Sequence, residues 1–278
     1  MTNTMFINVA NELKKARACN CAIGAFNTSN LEVTKAICQA ASKFDSPILL
    51  QTTPSAIEYA GLKQIFDIVS NEIKATNIKA AIHLDHGKDF DLIKKAIDIG
   101  YTSVMFDGST YPFDENVQMT TRVVNYAHAR GVSVEAEIGV IGHEEGGEVS
   151  GQSVMSESEQ VKRFVELTGI DSVAVSVGNQ HGAPSGEKVD FKLLESIAKV
   201  VDIPLVMHGA SGLSNGDVRG AICLGVAKFN IDTNIKVAFS SAIEASKEAD
   251  YRKANAEGME EVEKVVTKYI ELLSSGKK

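Results

Sequence analysis

IKAAIHLDHGKDFDLIKKAIDIGYTSVMF, residues 78–106, holds one complete repeating unit of the fold. Ile78 to Leu84 is a short apolar run that stops on Asp85-His86-Gly87. Leu92, Ile93, Ala96 and Ile97 then recur at helical spacing, and a second apolar run follows Gly100, from Thr102 to Phe106. A short strand, a helix and a second short strand read as a βαβ unit, whose two strands lie parallel in one sheet.

The same alternation extends in both directions. Strand-like runs occur at 21–26, 47–51, 78–84, 102–106, 132–138, 171–177, 204–208 and 227–231, with helical spacing between them, as in Leu31, Ile37, Cys38 and Ala41. Eight such units predict an α/β fold of the (β/α)8 TIM-barrel type, with a doubly wound open sheet as the alternative. No Pro/Gly/Ser-rich linker or composition shift divides the chain, so residues 1–278 are expected to form one domain. Residues 235–278 form a C-terminal helical extension, in which Val262, Val265, Val266, Tyr269, Ile270 and Leu273 make an apolar stripe. That stripe suits either packing on the barrel wall or a subunit contact.

Composition narrows the function classes. The 278 residues are 44% hydrophobic and 23% charged, the balance of a globular protein, and a chain of this size buries roughly 75% of its unfolded surface without staples. Lys and Arg number 28 against 36 Asp and Glu, a net charge of −8, which argues against a nucleic-acid partner. An anionic ligand must therefore be held by local geometry. No signal peptide and no apolar run near 18 residues is present, so no membrane partner and a cytoplasmic location are expected. Cys19, Cys21, Cys38 and Cys223 read as small buried residues of a reducing compartment.

The functional signal lies where the strands stop. The runs end on, or carry, Asn27, Gln51, Asp85-His86, Asp107, Glu135 and Glu137, Asn179-Gln180-His181, His208, and Asn230 with Asp232. In barrel enzymes the carboxyl ends of the strands meet at one mouth, so these residues are expected to be neighbours. His86, His181 and His208 stand at three strand ends, each followed by Gly. Three imidazoles that leave one position open suit a catalytic zinc. Strict alternation sends Asp85 and His86 to opposite faces, so both reach the mouth only if the strand ends there, with Gly87 permitting the turn. His83 is read as a core or supporting residue and His128 as a surface one. His208-Gly-Ala-Ser-Gly212 and Asn230-Ile-Asp-Thr233 offer backbone N–H groups and a helix start after strands seven and eight, the usual phosphate position of this architecture, although each alone also fits a simple tight turn. The Gly- and Glu-rich segment 139–151 has the composition of a loop that could close over the mouth.

Five motifs together, His83-Leu-Asp-His86, Glu135-Ala-Glu-Ile-Gly139, Gly178-Asn-Gln-His-Gly182, His208-Gly-Ala-Ser-Gly212 and Asn230-Ile-Asp-Thr233, resemble the class II, metal-dependent fructose-bisphosphate aldolases, nearest their tagatose-bisphosphate-like branch. The resemblance runs from about residue 5 to about residue 270. It implies a zinc ion on His86, His181 and His208, and a second metal position at Asp107 and Glu137. It makes Asp85 the acid/base at the aldehyde-derived oxygen and Glu145 the group that exchanges the proton on the ketone-side carbon. Gly182, Gly209, Ala210, Ser211, Asn230, Ile231, Asp232 and Thr233 would bind the dihydroxyacetone-phosphate half. The implied reaction is reversible cleavage of a phosphorylated sugar, a ketose 1-phosphate or 1,6-bisphosphate, by a homodimer or homotetramer.

The chain departs from that pattern at the substrate ends. Ser185 replaces a lysine, Thr53 a serine and Asn234 an aspartate; His143 stands where glycine is common, and the C-terminal Asp-Pro-Arg reads Asp250-Tyr-Arg252. Three rival functions differ in chemistry. A Schiff-base aldolase needs a lysine in the mouth, whereas Lys228 lies before the end of its strand. A metal-dependent barrel hydrolase leaves both phosphate-type loops unexplained, and a non-catalytic sugar-phosphate binding protein leaves Asp85 unexplained.

Overall fold

Eight parallel strands close on themselves in a computed structural model that describes residues 5–145, 148–150, 153–182 and 188–274, without the side chains of 143–145 and 148–150. They are β1 (Ile23–Asn27), β2 (Ile48–Thr52), β3 (Ala80–Gly87), β4 (Ser103–Phe106), β5 (Ser133–Ile138), β8 (Ser172–Val175), β9 (Leu205–Met207) and β10 (Val226–Ile231). Pairing follows chain order, and closure comes where Ile23 to Phe26 of β1 lie beside Lys228 to Ile231 of β10. The eight sequence runs are these eight strands, and the closed ring excludes the open sheet. Inserted after β5 is an antiparallel hairpin, β6 (His143–Glu145) and β7 (Glu148–Ser150), in the segment read from composition as a loop.

Helices cover the outside: α2 (Leu31–Ala41), α3 (Pro54–Ala60), α4 (Leu62–Thr76), α5 (Phe90–Ile99), α6 (Phe113–His128), α7 (Ser158–Thr168), α8 (Phe191–Val200), α9 (Asn215–Cys223), α10 (Thr233–Ala245) and α11 (Tyr251–Ser274). Polar side chains start several of them. Asn30, Asp89, Asp190 and Ser214 each accept a backbone N–H of the following first turn. Strand residues of alternate parity, among them Phe26, Leu50, Ile82, Val104, Val134, Val173, Met207 and Phe229, face the helices in one large buried cluster. The opposite parity faces the barrel axis.

The floor of the interior is apolar and sealed. Helix α1 (Val9–Ala18) lays Val9, Leu13 and Ala16 against Ile23, Ala25, Leu49, Ala81 and Ala227, at the amino ends of their strands. Arg17 fastens that plug by donating to the carbonyls of Ala198, Val201 and Ile203. Above the floor come Met105, Ala174 and Val206, then a polar layer of Gln51, His83, Asp85, Glu135, Glu137, Lys228 and Asn230, all buried.

The C-terminal stripe packs on the wall. Val262, Val266, Tyr269, Ile270 and Leu273 of α11 are buried in the outer cluster with Val265 half-buried beside them, and Ala22 N donates to Leu273 O at 3.0 Å. The cysteines differ from expectation. Cys38 alone is buried; Cys223 at the end of α9 is exposed, and Cys19 and Cys21 lie between. Cys19 Sγ lies 2.7 Å from Lys15 O, and Cys21 Sγ lies 3.7 Å from Ser274 O. No helix among the described residues is long and apolar enough to cross a membrane.

Leu273 is 1% exposed. Truncation to alanine is expected to destabilise the fold by about 2–5 kcal/mol, read as a lower urea midpoint with an unchanged slope.

Candidate active site

A cavity of about 710 Å³ opens at the carboxyl ends of the strands, lined by Asn27, Asp85, His86, Asp107, Glu137 and His181 among others. Its most unusual backbone lies in β3. His83 and Asp85 alternate inward as expected, but the register slips between Leu84 and Gly87, and His86 adopts φ +52°. The sequence reading put the turn at Gly87 with the strand ending before it. Instead the strand runs on through Gly87, and His86 itself takes the left-handed conformation that brings two consecutive side chains to the mouth.

The three imidazoles meet there. His86 and His181 have ring centroids 5.0 Å apart, His86 and His208 4.7 Å, and His181 and His208 5.5 Å. One nitrogen from each falls within a 4.8 Å cluster that could hold a metal ion. His208 Nδ1 lies 3.0 Å from His86 Nε2, so these two nitrogens converge on a common point. Two of the rings are held from behind by carboxylates: Asp107 Oδ2 is 3.1 Å from His86 Nδ1, and Glu135 Oε1 is 3.0 Å from His208 Nε2. Imidazoles backed by carboxylates are the usual support of a metal-binding histidine.

A second cluster shares His86 and adds Asp107 and Glu137. Glu137 Oε1 accepts from Ile141 N at 3.3 Å, whereas Oε2 is buried with no partner. Burial and the nearby Asp107 charge push Glu137 up to about 8. An orphaned buried carboxylate oxygen beside a second carboxylate is an arrangement that fits a cation.

Asp85 is clamped by amides. Its Oδ2 accepts from Asn27 Nδ2 and from Gln51 Nε2, each at 3.2 Å, and its Oδ1 accepts from Asn230 Nδ2 at 3.1 Å. Burial disfavours its charge, yet His86, His208 and Lys228 outweigh that and hold it well below the usual carboxylate range. His83 is a supporting residue, with Nδ1 2.8 Å from Ser103 Oγ; burial and then Lys228 hold it down to about 3, so its ring is neutral. His128 is a surface residue, 2.9 Å from Asp171.

The two Gly-rich loops lock against each other. Gly209, at φ +72°, leaves its missing Cβ position only 1.7 Å from Gln180 O, so the backbone that carries His208 presses directly on the backbone that carries His181. Asn179 Nδ2 donates to His208 O at 3.1 Å across the same seam. Gly182, Gly209, Ser211, Asn230, Asp232 and Thr233 line the cavity. Ala210 and Ile231 are fully buried in the outer cluster, so their side chains face away from it. The side chain of Glu145 and the whole of Ser185 lie outside the described residues.

The departures from the family pattern have structural partners. Thr53 accepts from Ala56 N at 3.2 Å and so caps α3. Asn234 Nδ2 donates to Tyr269 OH at 3.0 Å, and Asn234 N reaches Ser211 Oγ at 3.4 Å, which ties α10 to α11 and to the Gly209 loop. Arg252 is bound to its own neighbour Asp250 at 2.7 Å.

Glu135, Lys228, Asn27 and Gln51 carry more of the site than sequence reading gave them. Their signal was parity: Glu135 and Glu137, like Lys228 and Asn230, are two apart on one strand and so share a face. Lys228 does not serve the mouth, since it is fully buried with its Nζ 2.9 Å from Glu135 Oε2. The lysines that line the cavity, Lys88 and Lys236, are mostly exposed and lie 3.9 Å from Asp107 and 2.7 Å from Asp232.

The family profile described as fructose-bisphosphate aldolase class-II matches residues 7–278. A fructose-bisphosphate aldolase of Geobacillus stearothermophilus is 43% identical over 226 residues, which cover 80% of this chain and 79% of that protein. Among solved structures, the YdjI aldolase from Escherichia coli K12 superposes with a TM-score of 0.88 at 28% identity over 98% of both chains. A Coccidioides immitis structure, provisionally assigned as a fructose-1,6-bisphosphate aldolase, gives a TM-score of 0.88 at 30% identity over 97% of both chains.

Gly209→Ala is expected to force the two histidine loops apart. The expected outcome is zinc affinity lowered at least about tenfold with the far-UV spectrum retained, measured by competition with a chromophoric chelator.

Proposed function

The chain belongs to the class II fructose-bisphosphate aldolase family, and from that premise we propose that it reversibly cleaves a ketose 1-phosphate or ketose 1,6-bisphosphate, fructose- or tagatose-bisphosphate-like, into dihydroxyacetone phosphate and an aldehyde. The observation that carries this reading is the meeting of His86, His181 and His208 beside an amide-clamped Asp85 at one mouth. The protein is an aldolase, a carbon–carbon lyase, and the family implies a phosphorylated sugar as substrate.

His86, His181 and His208 would hold a zinc ion, and the cluster of His86, Asp107 and Glu137 offers a second cation position. When bound, zinc supplies a Lewis acid that stabilises negative charge developing on the ketone-derived fragment. Asp85 moves the proton. A carboxylate has about four lone-pair sites; the three amides occupy three, so the vacant one is on Oδ1, the oxygen that faces His86 Nε2 at 4.0 Å. In cleavage Oδ1 takes the proton of the C4 hydroxyl, the C4=O bond forms and the C3–C4 bond breaks, with its electron pair staying on C3. Condensation runs the same transfers backwards. Glu145, on the hairpin that follows β5, would then supply the proton to C3 and release dihydroxyacetone phosphate.

The phosphate would rest on backbone and helix. Gly182, Gly209, Ser211 and Thr233, the last in the first turn of α10, line the cavity and would offer it backbone N–H groups. Asp232, which would repel an anion, is paired with Lys236 at 2.7 Å. The aldehyde would extend into a neighbouring hollow of about 440 Å³, bounded by Ser29, Asn30, Thr53, Ser55, Tyr59 and Lys236. We also read the chain as one cytoplasmic barrel domain that self-associates. Val237 on α10 is 55% exposed and, with Ala238, Ala242 and Ala245, lines one side of a hollow bounded by Glu257, Glu260 and Glu261, which a second copy would cover.

Asp85→Ala is expected to lower turnover about 10²–10⁴-fold while zinc binding persists, measured by steady-state cleavage alongside metal titration. Chelator treatment is expected to abolish turnover, and added zinc to restore it. A panel of phosphorylated and unphosphorylated aldehydes offered with dihydroxyacetone phosphate should identify the partner. If none condenses and no proton of dihydroxyacetone phosphate exchanges with solvent, the reading fails.

A further inference from the structure

Directly beneath the imidazoles lies an ion pair that the chemistry above does not use. Lys228 Nζ donates to both oxygens of Glu135, to Oε2 at 2.9 Å and to Oε1 at 3.1 Å, and both residues are buried in the barrel axis. Lys228 shares the inward face with Asn230, two residues on. The register between β9 and β10 slips between Val226 and Lys228, so that Ala227 joins the apolar floor directly before it. The layers below are entirely apolar, first Met105, Ala174 and Val206 and then Ile23, Ala25, Leu49, Ala81 and Ala227, so filling the axis does not require charge. Buried ion pairs are poor devices for stability and are readily replaced by apolar residues of like volume.

The pair does control a hydrogen-bond direction. An ammonium has only protons to give, so both oxygens of Glu135 must act as acceptors. Glu135 Oε1 is then left to accept from the next neighbour, which is His208 Nε2 at 3.0 Å. With its proton committed to Nε2, His208 presents Nδ1 as a bare lone pair, and Nδ1 is the nitrogen that meets His86 Nε2 at 3.0 Å. Asn179 and Gly209 fix the backbone of His208, but neither touches its ring nitrogens in the described contacts.

We propose that Lys228 is a positioning residue that acts through Glu135 to lock His208 in its Nε2–H tautomer, keeping Nδ1 available to a divalent metal held with His86 and His181. This rests on the metal-site reading above. The relay runs Lys228, Glu135, His208, and it turns a buried charge into a choice between two imidazole nitrogens.

The test compares the wild-type chain with Lys228→Met and with the neutral pair Glu135→Gln/Lys228→Met, which leaves no unpaired buried charge. The first readout is the long-range ¹H–¹⁵N correlation pattern of the His208 ring in metal-free protein; the second is zinc affinity by chelator competition. The wild type is expected to show the Nε2–H pattern. The neutral pair, folded by circular dichroism, is expected to show a mixed or Nδ1–H pattern and zinc affinity about 10–100-fold weaker, because an amide can present either an oxygen or an NH₂ to the ring. If Lys228→Met does not fold, the neutral pair decides. A neutral pair that does not fold, or one that keeps the Nε2–H pattern, makes the ion pair merely structural and overturns the inference. If the wild type binds no zinc, the metal-site reading falls instead, and the tautomer pattern alone decides the role of Lys228.

Discussion

An imidazole serves a metal only through a nitrogen that carries a lone pair, and a closed parallel barrel must aim that nitrogen from strands whose side chains alternate in and out. Most of this architecture follows from that constraint. Three rings must reach one point from β3, from the loop after β8 and from the end of β9, and at each the backbone has to be fixed more tightly than a free loop allows. β3 meets the demand by slipping its register and turning His86 left-handed. The other two loops meet it by mutual contact, with Gly209 pressed on Gln180 O. Carboxylates then fix the rings themselves, Asp107 behind His86 and Glu135 behind His208.

Much of this was legible in the sequence. Apolar runs of five to seven residues with helical spacing between them have few structural solutions, and eight in series left the barrel as the reading that placed every polar strand end at one mouth. The three histidines and Asp85 were therefore recognisable from position alone. What was hidden depends on register. A slip of one residue reverses the face of everything after it, and nothing in Leu84-Asp85-His86-Gly87 announces which residue will absorb the slip. Gly87 was the natural candidate because glycine tolerates left-handed backbone, yet the structure spends that conformation on His86. The slip in β10 was hidden in the same way, since it turns Ala227 inward directly beside Lys228. The plug formed by α1 was hidden because its partners, from Ile23 to Ala227, are scattered over the chain.

The departures from the family motifs look different once partners are known. Thr53 and Asn234 are engaged in local structure, one capping α3 and the other bridging α10, α11 and the Gly209 turn through Tyr269 and Ser211. A threonine hydroxyl caps a helix much as a serine does, and an amide can donate where a carboxylate cannot. Asn234 donates to a phenol oxygen, a bond that aspartate in its ionised form could not make in that direction. In the described contacts, neither Thr53 nor Asn234 touches His86, His208, Asp107 or Glu135.

The helix sealed into the lower barrel, held by Arg17 on the carbonyls of Ala198, Val201 and Ile203, has a consequence for traffic. With the amino end of the barrel closed by α1, the polar layer is approached from the carboxyl end, so anything seated on that layer shares one cavity with whatever fills the rim above it.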